Sequence, residues 1–262
     1  MQFPRTKVGG LSVSRMIIGT NWILGWSHQG PAKDKLITSL NDRKNIANIL
    51  EVFFKAGVDT IMGPLTQHPQ ANAAIKDAED KTGVKCIKVD TPMLNVKDTV
   101  RDKDETKRIL DQVAATGAQI CLPHHTSVEQ LLDKSTEEIR RLDEYTAMIR
   151  QRGMIPGLSA HMPEVVTYSD NHNYDVETYI QIYNCMGFLM QLEVEGVAKL
   201  IQNAKKPVMT IKPMAAGRVT PFVGLTFVWN SIRDIDLVTV GTMTPYEAEE
   251  VVEMSLDILD KR

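Results

Sequence analysis

Several titratable side chains in this sequence follow directly after short apolar runs. The imidazoles of His124 and His161 and the amine of Lys212 have this placement, and the carboxylate of Asp59, inside the run 58–62, is grouped with them. A neutral imidazole exchanges protons near pH 7, and burial lowers the pKa of an amine until it can act as a base or form a Schiff base. Together these groups would support acid–base catalysis, with Asp59 orienting Lys212 as its charge partner.

Other side chains at the ends of these runs, or in the long connection after the first run, would contact a substrate. They are Thr20, Asn21, Trp26, His28, Lys88, Asp90 and Asn184. His125 adjoins His124, and in a continuing strand only one of the two would face the pocket. Cys185 is a further nucleophile candidate, although no base adjoins it in the sequence.

Some of these residues also have the donor atoms of a divalent-metal site. Asp59, Asp90, His124, His161 and His28 offer carboxylate oxygens and imidazole nitrogens, which bind such ions. Their spacing matches no ligand motif, so the sequence predicts no set of metal ligands.

The apolar runs that would position these groups number eight. They cover residues 16–19, 58–62, 86–89, 120–122, 155–160, 179–183, 208–211 and 237–240. Strands that alternate with helices in this way are typical of a closed (β/α)8 TIM barrel, an α/β fold whose catalytic residues lie at the carboxyl ends of the strands. The sequence therefore predicts that the scattered polar residues converge on one pocket.

Helical patterns follow most of the runs, at 42–56, 69–81, 104–115, 136–152, 194–205 and 245–261. Two further helices, near 164–168 and 221–232, are short or interrupted by glycine. Residues 5–14 predict a β-hairpin that turns at Gly9 and Gly10 and caps the amino-terminal end of the barrel. The connection 21–40 is longer than usual for a barrel loop and predicts a binding loop or lid.

The composition and net charge of the chain exclude some classes of partner. The chain has 262 residues and a formal net charge of −3, which favours neither nucleic acid nor an anionic membrane as a partner. No apolar run is long enough to span a bilayer, and the three cysteines show no CxxC spacing. We expect one domain over residues 1–262, in the cytoplasm, acting on a small molecule.

Several segments resemble the aldo-keto reductases, in the order that this family has them. Residues 7–20 are similar to the family's hairpin and first strand, Gly57-Val58-Asp59-Thr60 to the second strand that ends in Asp-Thr-Ala, and Leu122-Pro123-His124 to the Leu-x-His of the fourth strand. Gly157-Leu158-Ser159 and the segment 212–218 resemble the family's fifth and seventh strands. The resemblance implies the same barrel fold.

Reductases of this family use an Asp, a Tyr, a Lys and a His, with the Tyr as proton donor. The resemblance places the Asp on Asp59 and the His on His124, but the Tyr falls on Pro64. Lys88 is the nearest candidate for the Lys, although the register favours Asp90 or Thr91 at that site. Tyr145 and Tyr183 remain open as replacements for the proton donor.

The family binds a nicotinamide dinucleotide phosphate, and part of that site has counterparts here. Ser159 matches a carboxamide ligand, while its Asn partner is Ala160 and the stacking aromatic residue is Ile211. Gly217, Arg218 and Thr242 follow the seventh and eighth runs, where barrels often bind phosphate. NADP thus stays a candidate cofactor. The alternative interpretation of the segment at Gly217 and Arg218 is a simple turn that binds no phosphate.

These observations favour an isomerase or lyase that transfers protons on a small hydroxylated carbonyl compound. His124 and His161 would be the acid and base, and Lys212 a base or an electrostatic stabiliser. A nicotinamide-dependent reductase with an unusual proton donor is the first alternative. A catalytically silent barrel that binds a ligand is the second.

Overall fold

The computed structural model describes residues 2–261. Its strands are β1 (Arg5–Val8), β2 (Leu11–Ser14), β3 (Met16–Gly19), β4 (Thr60–Gly63), β5 (Ile87–Asp90), β6 (Ile120–Cys121), β7 (Leu132–Asp133), β8 (Glu138–Ile139), β9 (Ile155–Pro156), β10 (Leu158–Ser159), β11 (Tyr179–Ile182), β12 (Val208–Ile211) and β13 (Leu237–Val240). Its α-helices are α1 (Asn21–Leu24), α2 (Pro31–Leu40), α3 (Arg43–Lys55), α4 (Pro69–Thr82), α5 (Val100–Ala115), α6 (His125–Val128), α7 (Leu142–Arg150), α8 (Glu164–His172), α9 (Val194–Asn203), α10 (Pro221–Ser231) and α11 (Pro245–Asp260).

A parallel barrel forms the centre of the fold. Its strands pair in the order β10, β11, β12, β13, β3, β4, β5, β6, β9. Strands β9 and β10 are consecutive in the chain and are separated only by Gly157, so together they act as one fifth barrel strand. The amide of Gly157 donates to the carbonyl of Cys121 on one side, and Leu158 donates to Thr178 on the other. The predicted (β/α)8 barrel is confirmed.

The predicted hairpin at the amino-terminal end is also confirmed. Strands β1 and β2 pair antiparallel, with Val8 opposite Leu11 across the two-glycine turn. Val8 and Val13 are fully buried and pack with Ile17 and Leu237 inside the barrel. The hairpin thereby covers the lower end of the barrel interior, and any pocket must open at the other end.

Helix α3 illustrates how the outer layer packs. Asp42 caps it by accepting a hydrogen bond from the amide of Asn45. Its buried face carries Ile46, Ile49, Leu50, Phe53 and Phe54, the stripe that the spacing in the sequence indicates. No helix within residues 2–261 combines the length and apolar character needed to cross a membrane.

The fourth barrel helix differs most from its prediction. Helix α7 begins at Leu142, whereas the sequence pattern places its start at residue 136. Strands β7 and β8 form a small antiparallel pair before it, and Arg141 has a φ of 57°, a left-handed conformation that ends the preceding segment. Residues 134–138 are all polar and supply no apolar stripe for a helix to bury.

The connection after the first strand is partly helical. Helices α1 and α2 occupy most of residues 21–40 and leave a short irregular segment, 25–30, between them. Within that segment Gly25 and Gly30 have φ values of 83° and 123°, which favour glycine. Residues 25–30 are the irregular part of the connection.

Candidate active site

A cavity of about 900 Å³ opens at the carboxyl ends of the barrel strands. The predicted site residues that line it are Thr20, Asn21, Trp26, His28, His124, Ser159, His161, Lys212, Gly217, Arg218 and Thr242. They come from widely separated parts of the chain, and parallel strands with a common direction bring them together. Asp59, Lys88, Asp90 and Asn184 are not among the lining residues.

The prediction that Asp59 lies in the pocket is wrong. Strand β4 begins at Thr60 and ends at Gly63, so Asp59 precedes the strand and lies at the opposite end of the barrel. There its Oδ2 accepts a hydrogen bond of 2.8 Å from Nη1 of Arg5 in the hairpin. The carboxyl end of this strand instead presents Met62 and Gly63 to the pocket. Asp59 therefore cannot be the charge partner of Lys212.

Strand alternation moves Lys88 and Asp90 out of the pocket. Val89, which lies between them, faces the barrel interior, so both neighbours point towards the helices. The amine of Lys88 donates to the carbonyl of Thr116 at 2.8 Å. Asp90 is fully buried and accepts two hydrogen bonds from Thr66, while burial raises its pKa. Both predictions of substrate contact are corrected by this geometry.

The side chain of Asn184 forms hydrogen bonds within its own loop and has a structural role. Its Oδ1 accepts hydrogen bonds from the amides of Met186 and Phe188, and its Nδ2 donates to the carbonyl of Phe188. The side chain is fully buried and holds the turn after β11. The prediction that it orients a substrate hydroxyl is wrong because all these contacts are to its own loop.

Lys212 lies in the wall of the pocket, immediately after β12. Its Nζ is 3.3 Å from Nε2 of His28, and burial lowers the pKa of the amine to about 8. Nδ1 of His28 is 3.0 Å from the carbonyl of Trp26. Because a carbonyl only accepts, His28 carries its proton on Nδ1, and its Nε2 accepts from Lys212.

The backbone at Lys212 is strained. The proline at 213 favours an extended conformation at the preceding residue, yet Lys212 has a φ of 61°. Ala215 and Ala216 have φ values of 49° and 55° in the same loop. Such conformations cost free energy in residues other than glycine and are concentrated at functional sites.

The segment 25–30 is fastened to this strained loop. Nε2 of Gln29 donates to the carbonyl of Ala216 at 2.8 Å, and Arg218 donates to the carbonyl of His28 at 3.2 Å. The guanidinium of Arg218 also stacks on Phe188, 4.0 Å from its ring centroid. These contacts hold Trp26 and His28 at the mouth of the pocket, where the sequence places them.

Three histidines form the opposite part of the pocket lining. The ring centroids of His124 and His125 are 4.2 Å apart, and His125 stacks on His161 at 3.8 Å with an interplanar angle of 19°. Both His124 and His125 line the pocket, so the expectation that only one would face it is wrong. The strand ends at Cys121 and the chain turns into α6, which removes the alternation on which that expectation depended.

Burial makes two of these imidazoles neutral at pH 7. It lowers the pKa of His124 to about 4 and that of His161 to about 4, and the neighbouring His125 adds to both shifts. Glu129 lies beside the cluster. Burial raises the pKa of this carboxyl, but hydrogen bonds from Nδ1 of His125 and from two backbone amides outweigh burial and lower the pKa overall. The carboxylate therefore stays ionised.

The sequence reasoning missed His125 and Glu129 as a pair. His125 begins the short helix α6 and Glu129 follows its end, four positions later, a spacing that brings two side chains together on helical backbone. It also missed Trp22 in α1, and Glu247 and Glu250 in the first turns of α11, all of which line the pocket. The spacing of His125 and Glu129 was a usable signal, whereas the other three needed the fold.

Comparison with known proteins identifies the architecture. No family model matches the chain, and no curated protein matches it. Among solved structures, a candidate aldo-keto reductase from Pseudomonas aeruginosa is similar with a TM-score of 0.69 and 16% identity, covering 97% of this chain and 96% of the other. This chain has the (β/α)8 barrel fold of that structure.

Two further structures agree. A glycerol dehydrogenase from Gluconobacter oxydans has a TM-score of 0.65 at 13% identity, with 98% of this chain and 94% of the other covered. An aldose reductase from Giardia lamblia has a TM-score of 0.57 at 12% identity, with 99% and 91% covered. At such identities the likeness to aldo-keto reductases concerns the fold, and the chemistry must be argued from the site.

The pocket lacks the proton donor that aldo-keto reductases use. All six tyrosines of the chain fall within residues 2–261, and none of them lines the cavity. Tyr145 is buried on α7, and Tyr183 packs against Phe227. Neither can replace the missing hydroxyl without a rearrangement.

The residues at the proposed phosphate site also fit NADP poorly. The carboxylates of Glu247 and Glu250 line this part of the cavity and would repel a 2′-phosphate. Trp22 packs closely against Gly217 and Gly241. A Cβ atom at either glycine would lie 3.3 Å from Trp22. Arg218 already donates to two carbonyl groups. Three hydroxyls of the cavity lining, those of Thr20, Thr239 and Thr242, are buried without a hydrogen-bond partner among the described residues.

A metal ion fits no better. Within residues 2–261, no three His, Cys, Asp or Glu side chains are arranged to hold one. Asp59 and Asp90, whose carboxylates were the candidate oxygen donors, lie outside the pocket. The stacked rings of the histidine cluster place faces, rather than nitrogen atoms, towards one another.

Proposed function

We propose that this protein transfers protons on a small hydroxylated carbonyl compound, as an isomerase or a lyase. The observation that carries this proposal is Lys212. Its amine lies in the pocket with a lowered pKa, and no carboxylate of the described residues is within ion-pair distance of it. An uncompensated ammonium beside a pocket stabilises an oxyanion that forms during a reaction.

The histidines supply the proton transfer. When a proton leaves a carbon next to a carbonyl, negative charge develops on the carbonyl oxygen, and Lys212 would bind that oxygen. His124 and His161 would then be the acid and base, because both line the pocket and a neutral imidazole offers one N–H donor and one nitrogen lone pair. Thr20, Asn21, Trp26 and His28 complete the lining around the substrate.

The open cavity beside reactive groups supports an enzyme over a barrel whose mouth is plugged by side chains. About 900 Å³ of space remains beside Lys212 and the histidines, which is room for a small molecule. We further propose that the protein acts in the cytoplasm, which the unpaired state of Cys86, Cys121 and Cys185 supports.

Hydrogen exchange at carbon tests the proposal whatever the final product of the reaction is. Glyceraldehyde, dihydroxyacetone and related hydroxycarbonyl compounds are incubated with the protein in D₂O, and loss of the proton next to the carbonyl is followed by NMR. We expect exchange above the buffer rate with at least one compound, and a fall of about 100-fold in Lys212→Met. The surface variant Lys107→Met is the control. Absence of exchange across the panel contradicts the proposal.

A nicotinamide-dependent reductase is the second candidate, and the fold is the observation that favours it. The acidic residues near α11 suit the free ribose hydroxyls of NAD better than the phosphate of NADP. Titration with NADH and NADPH, followed by the fluorescence of Trp22 and Trp26, separates the candidates. Saturable binding with hydride transfer to a carbonyl substrate would favour the reductase over proton transfer.

A further inference from the structure

The hydrogen bonds of His124 fix which of its nitrogens carries the proton. Its Nδ1 is 2.8 Å from Oγ1 of Thr126 and 3.4 Å from the backbone nitrogen of the same residue. A backbone N–H can only donate, so Nδ1 of His124 accepts. The neutral ring therefore carries its proton on Nε2, which makes this nitrogen a hydrogen-bond donor.

His125 has the opposite arrangement. Its Nδ1 is 3.3 Å from Oε2 of Glu129, and an ionised carboxylate can only accept. Nδ1 of His125 therefore holds the proton, and in the neutral ring Nε2 carries a free lone pair. Stacking against His161 at 3.8 Å keeps the ring in this orientation.

The orientation of the Glu129 carboxylate is fixed by two further hydrogen bonds. Its other oxygen, Oε1, accepts the backbone amides of His161 at 2.6 Å and Met162 at 3.0 Å. Two fixed donors hold Oε1, so Oε2 stays directed at His125. One carboxylate thus joins the loop after β10 to the start of α6 and sets the tautomer of a histidine.

From these contacts we infer that His124 and His125 form a donor–acceptor pair, in which His125 is the catalytic base, His124 the donor to the carbonyl oxygen, and Glu129 the positioning residue. This inference rests on the proposed function and names its substrate class, an α-hydroxy aldehyde or ketone. In this assignment His125 takes the place of His161 as the base, and hydrogen bonding decides which of the two neighbouring histidines donates and which accepts.

The reaction step balances within the pair. Nε2 of His125 takes the proton from the carbon that bears the hydroxyl, so a C–H bond breaks and an N–H bond forms. The electron pair moves into a carbon–carbon double bond, and the carbonyl electrons move to oxygen, which accepts a hydrogen bond from Nε2–H of His124. Return of the proton to the former carbonyl carbon, with transfer of the hydroxyl proton between the oxygens, gives the isomer without an oxidant or reductant.

Nitrogen NMR of histidine-labelled protein at pH 8 tests the pair directly. The two ring nitrogens of a neutral imidazole have different shifts according to which one is protonated, and His124→Gln and His125→Gln variants assign the signals. We expect the Nε2–H form for His124 and the Nδ1–H form for His125. The same tautomer in both rings would overturn the inference, whatever the protein is found to catalyse.

Glu129→Gln tests the positioning role. The backbone donors of His161 and Met162 will hold the amide oxygen, which leaves the amide NH₂ facing His125. An NH₂ group only donates, so Nδ1 of His125 must become an acceptor and its proton must move to Nε2. We expect this flip in the spectrum and a fall in carbon–hydrogen exchange of about 100-fold or more.

Glu164→Gln is the matched control. Glu164 pairs with Lys134 at the start of α8 and does not line the pocket. It should change neither the tautomer of His125 nor the exchange rate. An unchanged His125 tautomer in a folded Glu129→Gln protein would overturn the assignment of Glu129, and the wild-type spectrum decides the histidine pair even if that variant does not fold.

Discussion

Single residues at this pocket owe their chemistry to burial and to their immediate partners. Lys212, His124 and His161 all have pKa values lowered mainly by loss of solvent. The tautomers of His28 and His125 are fixed by a carbonyl and a carboxylate, respectively. Identical side chains elsewhere in the chain would not have these properties, because the properties belong to the environment.

Replacement of Lys212 by Met should stabilise the protein at pH 7. The pKa of this amine falls from 10.5 in a free lysine to about 8 in the folded protein. Below pH 8 both states are protonated and the full cost of burying the ammonium is present; between pH 8 and 10.5 only the unfolded chain holds the proton, so stability rises with pH. We expect Lys212→Met to gain about 1–2 kcal/mol at pH 7 and progressively less towards pH 10.5.

Urea unfolding at pH 7 and pH 10 measures this gain. The backbone strain at residue 212 is shared by Lys and Met, so it cancels from the comparison. A gain of equal size at both pH values would show that packing, and not the buried charge, distinguishes the two side chains.

Asp59→Asn should leave the activity intact. The carboxylate pairs with Arg5 at the end of the barrel far from the pocket, and the Arg5 side chain is 37% exposed. Because the guanidinium is partly exposed and Asn keeps an oxygen that can accept from Thr60, we expect a loss of stability of about 1 kcal/mol or less. Thermal unfolding and the D₂O exchange assay check the two parts. A tenfold loss of activity with unchanged stability would restore Asp59 to the site.

At the level of elements, the segment between α1 and α2 depends on the loop after β12. Gln29, Arg218 and His28 join the two by hydrogen bonds to backbone carbonyls and to Lys212. These contacts are few, and they connect segments that are otherwise at the surface. Such a region opens at lower free energy than the barrel beneath it.

Arg218→Ala should loosen this connection. The change removes two hydrogen bonds to carbonyls and the stacking on Phe188. We expect the amides of residues 26–30 to exchange with D₂O roughly tenfold faster, as followed by mass spectrometry, while strands of the barrel keep their protection. Arg101→Ala, at an exposed position of α5, should change neither region.

Elements with strong periodicity were predictable. The stripe on α3 and the two-glycine hairpin appear where the pattern indicates them, because local propensity and burial agree there. The exact ends of strands were not predictable. The two-residue difference at the start of β4 put Asp59 on the wrong end of the barrel, and the early end of β6 let both His124 and His125 reach the pocket.

For the molecule as a whole, barrel closure depends on a glycine. Strands β9 and β10 meet at Gly157, where a Cβ atom would lie 2.8 Å from the carbonyl oxygen of Thr178 and 2.9 Å from a side-chain carbon of Leu122. The neighbouring strands on both sides approach too closely for any side chain. Gly157 thus lets the fifth strand pair with two neighbours at once.

Gly157→Ala should destabilise the protein by about 2–4 kcal/mol, because one contact is with backbone and cannot relax. Gly196→Ala is the matched control: its Cβ would meet only Leu192 at 3.4 Å, within α9, where alanine favours the helix by about 0.5–1 kcal/mol. Chemical denaturation of both variants should move in opposite directions. An unchanged free energy of unfolding in Gly157→Ala would mean that the strands flanking residue 157 can move apart without cost, and would contradict this account of barrel closure.

The sequence by itself determined the barrel, its hairpin and most of the residues at the mouth, because hydrophobic periodicity and strand direction act locally and add up along the chain. Only the tertiary structure decided which groups interact there. Which end of a strand a carboxylate occupies, which nitrogen of a histidine holds the proton and how far the pKa of Lys212 falls all depend on neighbours that are distant in sequence. Those neighbours exist only once the barrel has closed.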